Sequence, residues 1–399
     1  MTDDAAFFAT ATEAVNRLER ELRRVPSLQS SSWRALELGS GSGRLLRAMS
    51  GHFAEIIGCE SGEARIEASR HLLRDLSNAF IHPADGTRIP AVGDHSIDFV
   101  YSVGDFTERN GRAGALALFR ELRRVLVANG LVCLRFTGQA PGAGDPVFTA
   151  NELVEIAAAH DFQVFAMDGA GTRSLWTTWR KREEGWFQQT EAESRSVNAS
   201  TVVRRITNAS SNEAVAPCRG RFASILIYAE NLLADASIGP LRVTIGTSLG
   251  IVTYIGATDR AGWQPIRVEL PEQEETGLLP VQITWFDRPI AESVTLRVIP
   301  PGPMVPRVVA ITDALRPGNR HKIVSGRMKL VMEEIAHPDE VQAFLGGKPA
   351  WDAEYNCLDP QQRRYQWSFQ LPDEITPGTH TLEVRAAGRT LARVPVDVA

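Results

Sequence analysis

Between residues 34 and 181 the chain alternates short, almost wholly apolar runs with stretches of helical periodicity. No other feature restricts the fold as much. Apolar runs at 34–38, 55–59, 79–82, 97–102 and 131–136 read as strands, and 42–50, 63–76, 111–127 and 151–160 read as helices. A strand that is apolar throughout must be covered on both faces, which is the parallel sheet of an α/β fold. Runs at 162–167 and 175–179 have no helix between them and predict an antiparallel pair at one edge. A further helix is expected over 5–25, with Phe8, Val15, Leu18 and Leu22 at helical spacing and Pro26 as its stop.

The pattern changes near Gly185. Residues 186–200 are polar and rich in Ser and Glu and read as a linker. Beyond them come short β-rich runs at 222–228, 241–245, 251–254, 266–270, 281–285 and 294–298, the spacing of a β-sandwich. Pro300-Pro301-Gly302-Pro303 is a rigid break. Runs at 327–333, 367–371, 379–384 and 391–398 complete the chain. A pattern of strand, Leu-Pro, acidic turn, Gly and strand occurs at 264–285 and again at 366–385, which suggests two copies of one sandwich type. The expected units are therefore 1–185 (helix 5–25, core 32–182), a linker at 186–200, and sandwiches at 201–302 and 303–399. On this reading, removal of everything after Gly185 leaves the first unit folded.

Charge and cysteine content narrow the function classes. The net charge is −5, and neither half is a basic block, which argues against nucleic-acid binding. The longest apolar runs are far too short to span a membrane. The start, MTDDAAFF, lacks a basic n-region, so no secretory signal is expected. Cys59, Cys133, Cys218 and Cys357 lie far apart without a C-x-x-C pair, and the eight histidines show no ligand spacing. A reducing, cytoplasmic setting without a metal site is expected.

The informative stretch is Arg34-Ala35-Leu36-Glu37-Leu38-Gly39-Ser40-Gly41-Ser42-Gly43-Arg44. A strand ends beside an acidic residue and runs through a glycine turn into a helix. Glycines let the backbone turn tightly and let a ligand approach it. A dinucleotide fingerprint is G-x-G-x-x-G, whereas here the spacing is G-x-G-x-G, with Arg44 where the third dinucleotide glycine falls. That speaks against a nicotinamide-dependent oxidoreductase. The second strand ends at Glu60, whose carboxylate can accept two hydrogen bonds from a ribose diol. Ser61 and Glu63 come next, so Glu60 also suits an anchor for the following helix. The third strand leads to Ala84-Asp85-Gly86-Thr87, and the fourth, SIDFVYS, exits at Ser102-Val103.

Taken together, these residues resemble the class I S-adenosylmethionine-dependent methyltransferases of the type 11/25 kind, over about 32–182. The resemblance implies an α/β Rossmann-like methyltransferase fold with a mostly parallel seven-stranded sheet; with the later strand runs, the expected chain is multidomain, that fold followed by two all-β immunoglobulin-like sandwiches. It implies S-adenosyl-L-methionine as cofactor. Gly39, Ser40, Gly41 and Gly43 would face its methionyl part and Glu37 its amino group. Glu60 would take the ribose, and Asp85 with Gly86 the adenine. Ser102 and Val103 would line the methyl side. Asp105 and Glu108, just past the fourth strand, are the candidate bases for an acceptor hydroxyl. That loop, SVGDFTERNG, has no histidine.

The stretch LIYAENLLADASIGPLRVTIG, with VTYIG, IRVELP and TGLLPVQITW after it, resembles the IPT/TIG immunoglobulin-like modules of bacterial multidomain chains. These modules carry no catalytic set. Their expected roles are positioning a large acceptor, binding a protein partner, self-association, or spacing. The first expectation for the acceptor is a small-molecule or glycan hydroxyl. No [DNS]-P-P-[YF] or Pro-Cys stands after the fourth strand, which argues against methylation of nucleic-acid bases. The rival expectation is a non-catalytic cofactor-binding scaffold or sensor whose sandwiches bind a partner or carbohydrate.

Overall fold

A computed structural model describes residues 12–24, 32–84, 88–104, 107–137, 148–170, 174–196, 200–220, 222–271, 275–315, 322–359, 363–372 and 374–399. The first unit is built on seven strands: β1 (Arg34–Leu38), β2 (Glu55–Glu60), β3 (Ala79–Pro83), β4 (Ile97–Ser102), β5 (Leu126–Thr137), β6 (Phe162–Asp168) and β7 (Ser174–Lys181). Their spatial order is β3-β2-β1-β4-β5-β7-β6. The strands from β3 to β5 in that order pair in parallel, while β7 runs antiparallel to both β5 and β6. The helices are α1 (Thr12–Leu22), α2 (Arg44–Met49), α3 (Glu63–Leu73), α4 (Thr107–Val125, broken at Gly111) and α5 (Ala150–Ala159).

The apolar runs explain this sheet. β1 is buried from Ala35 on, and β4 and β6 are almost entirely buried. Phe119 of α4 packs among Phe136, Phe148 and Trp179 on one sheet face. The strand order reverses direction between β1 and β4. A crevice at the carboxyl ends of these two strands is where open α/β sheets bind ligands.

The segment read as a linker contains a helix, α6 (Trp186–Glu193), followed by a short 3-10 turn (Ser194–Ser196). Its Gln and Glu residues face outward, while Trp186, Thr190 and Ser194 are buried at intervals of four. Asp161 holds its start by accepting from the backbone N–H groups of Gly185 (3.1 Å) and Phe187 (3.2 Å). High polarity obscured this periodicity in the sequence.

Two all-β units come after α6. The first opens with β8 (Val202–Asn208) and the short β9 (Val215–Pro217). Its β10 (Ser224–Glu230) lies between β8 and a later strand, Trp263–Glu269. Between these in sequence are β11 (Leu241–Ile245) and β12 (Ser248–Ile255), and Trp263–Glu269 is β13. β12 passes from β11 to β13 and so joins the two layers. In the second unit, a four-stranded and a five-stranded sheet enclose a separate core around Met328, Leu330, Trp367, Phe369 and Leu382.

The first β unit shares its core with the α/β unit. One contiguous set of buried residues runs from Leu36 and Phe99 to Ile225, Val243 and Ile283. β6 does not end the sheet in water. Tyr254 of β12 pairs with its Ala166. The N–H of Val164 donates to Ser237 Oγ (2.9 Å), and that of Ile238 donates to the Val164 carbonyl (2.9 Å). The Gln163 amide donates to the carbonyls of Ala234 (2.9 Å) and Ala236 (2.8 Å). Arg24 donates to the Ile255 carbonyl and packs over Phe165 and Tyr254.

Each apolar side chain that loses this cover forfeits roughly 1.5–3 kcal/mol, and a whole domain is stable by only about 5–15 kcal/mol. A chain ending at Gly185 is therefore expected to aggregate or to melt more than about 10 °C below the full chain. One ending at Ile299 should keep a cooperative transition near that of the full protein. Thermal unfolding and size-exclusion chromatography of the two truncations check this. Equal behaviour of both would show that the shared core adds nothing.

Candidate functional site

The turn after β1 depends on left-handed backbone. Gly39, Gly41 and Gly43 have φ of 67°, 59° and 83°, which residues with a Cβ rarely adopt. The N–H groups of Gly39 and Ser40 both donate to the Cys59 carbonyl, at 2.8 and 3.1 Å, so β2 holds the turn. A Cβ built on Gly39 or Gly41 meets nothing within 4 Å, so these two present bare backbone to open space. Gly43 is glycine for another reason as well: its Cβ would lie 2.3 Å from Ser69 Oγ on α3. Ser40 Oγ is turned toward β2, where a Cβ on Gly58 would come within 2.8 Å of it.

Glu60, the last residue of β2, is buried. Its Oε2 accepts from the Gly41 N–H (3.1 Å). Its Oε1 accepts from the N–H groups of Ser61 and Gly62, both 2.9 Å, and faces the half-exposed Arg65 guanidinium at 3.0 Å. One carboxylate thus holds both the glycine turn and the start of α3. The Ala84 N–H donates to the Glu60 carbonyl (3.1 Å), so the exit of β3 begins beside it.

Glu37 is also buried but has a different partner. The Tyr101 hydroxyl on β4 donates to its Oε2 at 3.1 Å. Register puts Glu37 between Gly58 and Tyr101. Burial pushes the Glu37 carboxyl up to about 8, against the opposing pull of the Tyr101 hydrogen bond and the Arg44 charge. Burial and the neighbouring Glu37 also raise the Tyr101 phenol.

Ser102 ends β4 with a buried hydroxyl that lies 3.0 Å from the Leu38 carbonyl and 2.9 Å from that of Gly104. It braces the mouth of the crevice between β1 and β4. Val103 is half-buried against the core. The structure thus brings Glu37, the glycine turn, Glu60, Ser102 and Val103 to the carboxyl ends of adjacent strands. Asp85, Gly86 and Asp105 lie outside the described residues, as does the side chain of Glu108, whose backbone falls in the first turn of α4.

Two residues were missed by sequence reasoning. Tyr101 looked like one more apolar residue of β4. Arg135 was visible as a charge inside the apolar run LVCLRF and was passed over. Its Nε donates to Ser174 Oγ (2.8 Å) and its Nη1 to the Val103 carbonyl (3.1 Å).

Residues 35–130 match the family described as Methyltransferase domain. No curated protein matches the chain. Similar solved structures include a SAM-dependent methyltransferase from Methanosarcina mazei, 18% identical, covering 40% of this chain and 96% of that one with a TM-score of 0.33. Another, from Aquifex aeolicus, is 16% identical and covers 43% and 97% with a TM-score of 0.33. A TehB-like SAM-dependent methyltransferase from Corynebacterium glutamicum is 17% identical and covers 44% and 99%, also with a TM-score of 0.33.

The raised Glu37 carboxyl has a consequence for stability. In the unfolded chain the group titrates near 4.5, and in the folded chain near 8. Its stabilising contribution is complete below pH 4.5 and is lost as pH rises through 8, because the folded state retains a proton that the unfolded state releases. Glu37→Gln removes this pH-dependent contribution. The variant's melting temperature relative to the parent should therefore climb between pH 5 and pH 8 and then level off. A difference independent of pH, measured by scanning fluorimetry across that range, would show that the carboxyl is ionised in the fold.

Proposed function

We propose that the chain is an S-adenosyl-L-methionine-dependent methyltransferase that acts on the hydroxyl of a small molecule or glycan. The observation that carries this reading is the buried Glu60 carboxylate fastened to Gly41, beside two left-handed glycines that open onto free space. A cofactor with a cationic amino group, a ribose diol and a sulfonium fits that donor set. When bound, S-adenosyl-L-methionine supplies the electrophilic methyl group.

The chain's own residues bind and orient. Gly39, Ser40, Gly41 and Gly43 form the bed for the methionyl part. Glu37, kept largely neutral by burial, loses its proton when a cation arrives and then holds that cation by charge. Glu60 accepts from the ribose hydroxyls as the half-exposed Arg65 gives way. Asp85 and Gly86 take the adenine edge. Ser102 fixes the spacing of β1 and β4, and Val103 walls the methyl side, so that an acceptor is held in line and water is kept out. Asp105 or Glu108 takes the acceptor proton. The β units position the acceptor or a protein partner, or join two copies of the chain. Among the described residues no helix is long and apolar enough to cross a membrane, and a cytoplasmic setting suits the four separate cysteines.

Glu60→Gln separates this role from that of a mere helix anchor. A charge-assisted hydrogen bond contributes roughly 1.5–3 kcal/mol, about ten- to a hundred-fold in affinity. Isothermal titration of the full chain with S-adenosyl-L-methionine should show at least tenfold weaker binding by the variant, alongside a lowered melting temperature, because one amide oxygen cannot replace a carboxylate that takes three backbone N–H groups. Unchanged affinity with lowered stability would assign Glu60 to structure alone. Binding without methyl transfer to any hydroxylated acceptor would favour a cofactor-binding scaffold.

A further inference from the structure

Arg135 and Arg180 are two half-buried cations of the α/β sheet that face no carboxylate within 4.0 Å among the described residues, and of the two Arg135 lies at the exit of β4. Arg135 sits near the end of β5, half-buried, in a strand whose neighbours Cys133, Leu134 and Phe136 are fully covered. Most other arginines here face a carboxylate: Arg17 faces Asp168, Arg24 Glu21, Arg65 Glu60, Arg123 Asp161 and Arg124 Glu121. Arg135 faces none within 4.0 Å among the described residues. Among those residues its hydrogen bonds go to neutral groups, Ser174 Oγ and the Val103 carbonyl. A guanidinium has five N–H donors, so these two bonds leave others for a ligand, and a planar fork suits the two oxygens of an oxyanion. Asp168, an acid of the same sheet, is held by Arg17 (3.0 Å) and Arg20 (3.1 Å). Trp176, which pairs with Arg135 on one side and Asp168 on the other, separates the two.

The location gives this cation its meaning. Arg135 grips the carbonyl of Val103, the residue at the exit of β4. We infer that Arg135 selects the acceptor, and that the acceptor carries an oxyanion, a carboxylate or a phosphate monoester, alongside its nucleophile. The inference rests on the methyltransferase reading, which puts Val103 on the methyl side. A half-buried guanidinium is costly to leave without a counter-charge. A sulfonium at the same mouth would add a second positive charge; the carboxylate of Asp105 or Glu108, as the base, would offset one of the two, and an anionic acceptor offsets the other. Ser174 and the Val103 carbonyl hold the fork in place before the ligand arrives, which reduces the ordering cost of binding.

The test uses the full chain saturated with S-adenosylhomocysteine. Benzoate and phenyl phosphate are the two anionic probes, and benzamide is the neutral control, each titrated by calorimetry up to about 50 mM. At least one anion should bind the parent protein tenfold or more tightly than benzamide, and the tighter of the two names the oxyanion. Arg135→Met should lose at least tenfold of that affinity while S-adenosylhomocysteine binding changes by less than about threefold. Arg135→Lys should recover part of the anion affinity. Equal binding of anion and amide by the parent, no binding of either anion, or anion affinity unaffected by both substitutions overturns the inference. The comparison of anion and amide on the parent protein holds even if Arg135→Met does not fold. Failure of S-adenosylhomocysteine to bind the parent overturns the cofactor reading instead, and the anion titrations repeated without it still report on Arg135.

Discussion

The geometry of the crevice depends on how β2 grips the turn after β1. Three left-handed glycines are entropically expensive to order, and the turn's own bond from the Gly43 N–H to the Ser40 carbonyl (3.0 Å) is one restraint against that cost. Further selection comes from outside. The Cys59 carbonyl takes two N–H groups from the turn, and Glu60, the next residue, takes a third from Gly41. Both holds come from the last two residues of one strand, so the register of β2 on β1 sets the shape of the turn. A slip of one residue would turn Glu60 to the opposite face and release Gly41. Gly58 protects that register, because any side chain there would collide with Ser40, Ile81 and Leu46.

Glu37 contributes in a different way. A buried carboxyl that accepts one hydrogen bond from a phenol is poorly solvated as an anion. The protein accepts that cost near the carboxyl end of β1, where Glu37 lies between β2 and β4. Groups of this kind are common where a charge must meet a ligand rather than the fold. Glu60 is the contrast. It is as deeply buried, yet it accepts from three backbone N–H groups and faces a guanidinium, so it serves as a structural carboxylate and a binding carboxylate together.

Much of this was legible in the sequence because it is local. The apolar runs fall on the strands, the absence of a helix between 167 and 175 marks the antiparallel pair, and the glycine spacing marks the turn. The residues of α6 were misread because only every fourth one is buried, and Trp186 had no visible partner until Asp235 met its indole N–H at 3.0 Å. Tyr101 and Arg135 depend on pairs far apart in sequence, Glu37 with Tyr101 and Arg135 with Ser174. No periodicity encodes such pairs. A charged residue in a covered strand was the only advance signal.

The same reasoning explains why the first β unit was taken for an appendage. Short alternating strands read as a self-sufficient sandwich, and nothing in them reports that β6 needs cover. Arg24 shows what that cover involves. Its carboxylate partner, Glu21, lies on α1, the carbonyl it donates to belongs to Ile255 of the β unit, and the rings beneath it come one from each unit. A buried ion pair of this kind adds little net stability when complete, but losing one partner leaves a charge without compensation. Arg24 therefore keeps both its carboxylate and its carbonyl partner only when both units are in place, while its buried Nη2 has no hydrogen-bond partner among the described residues. The helix it fastens also carries Arg17, which pairs with Asp168 and packs over Trp176 at the same end of the sheet as Val103 and Arg135. Through Arg24 and α1, the β unit is tied to the end of the sheet that carries Asp168 and Trp176.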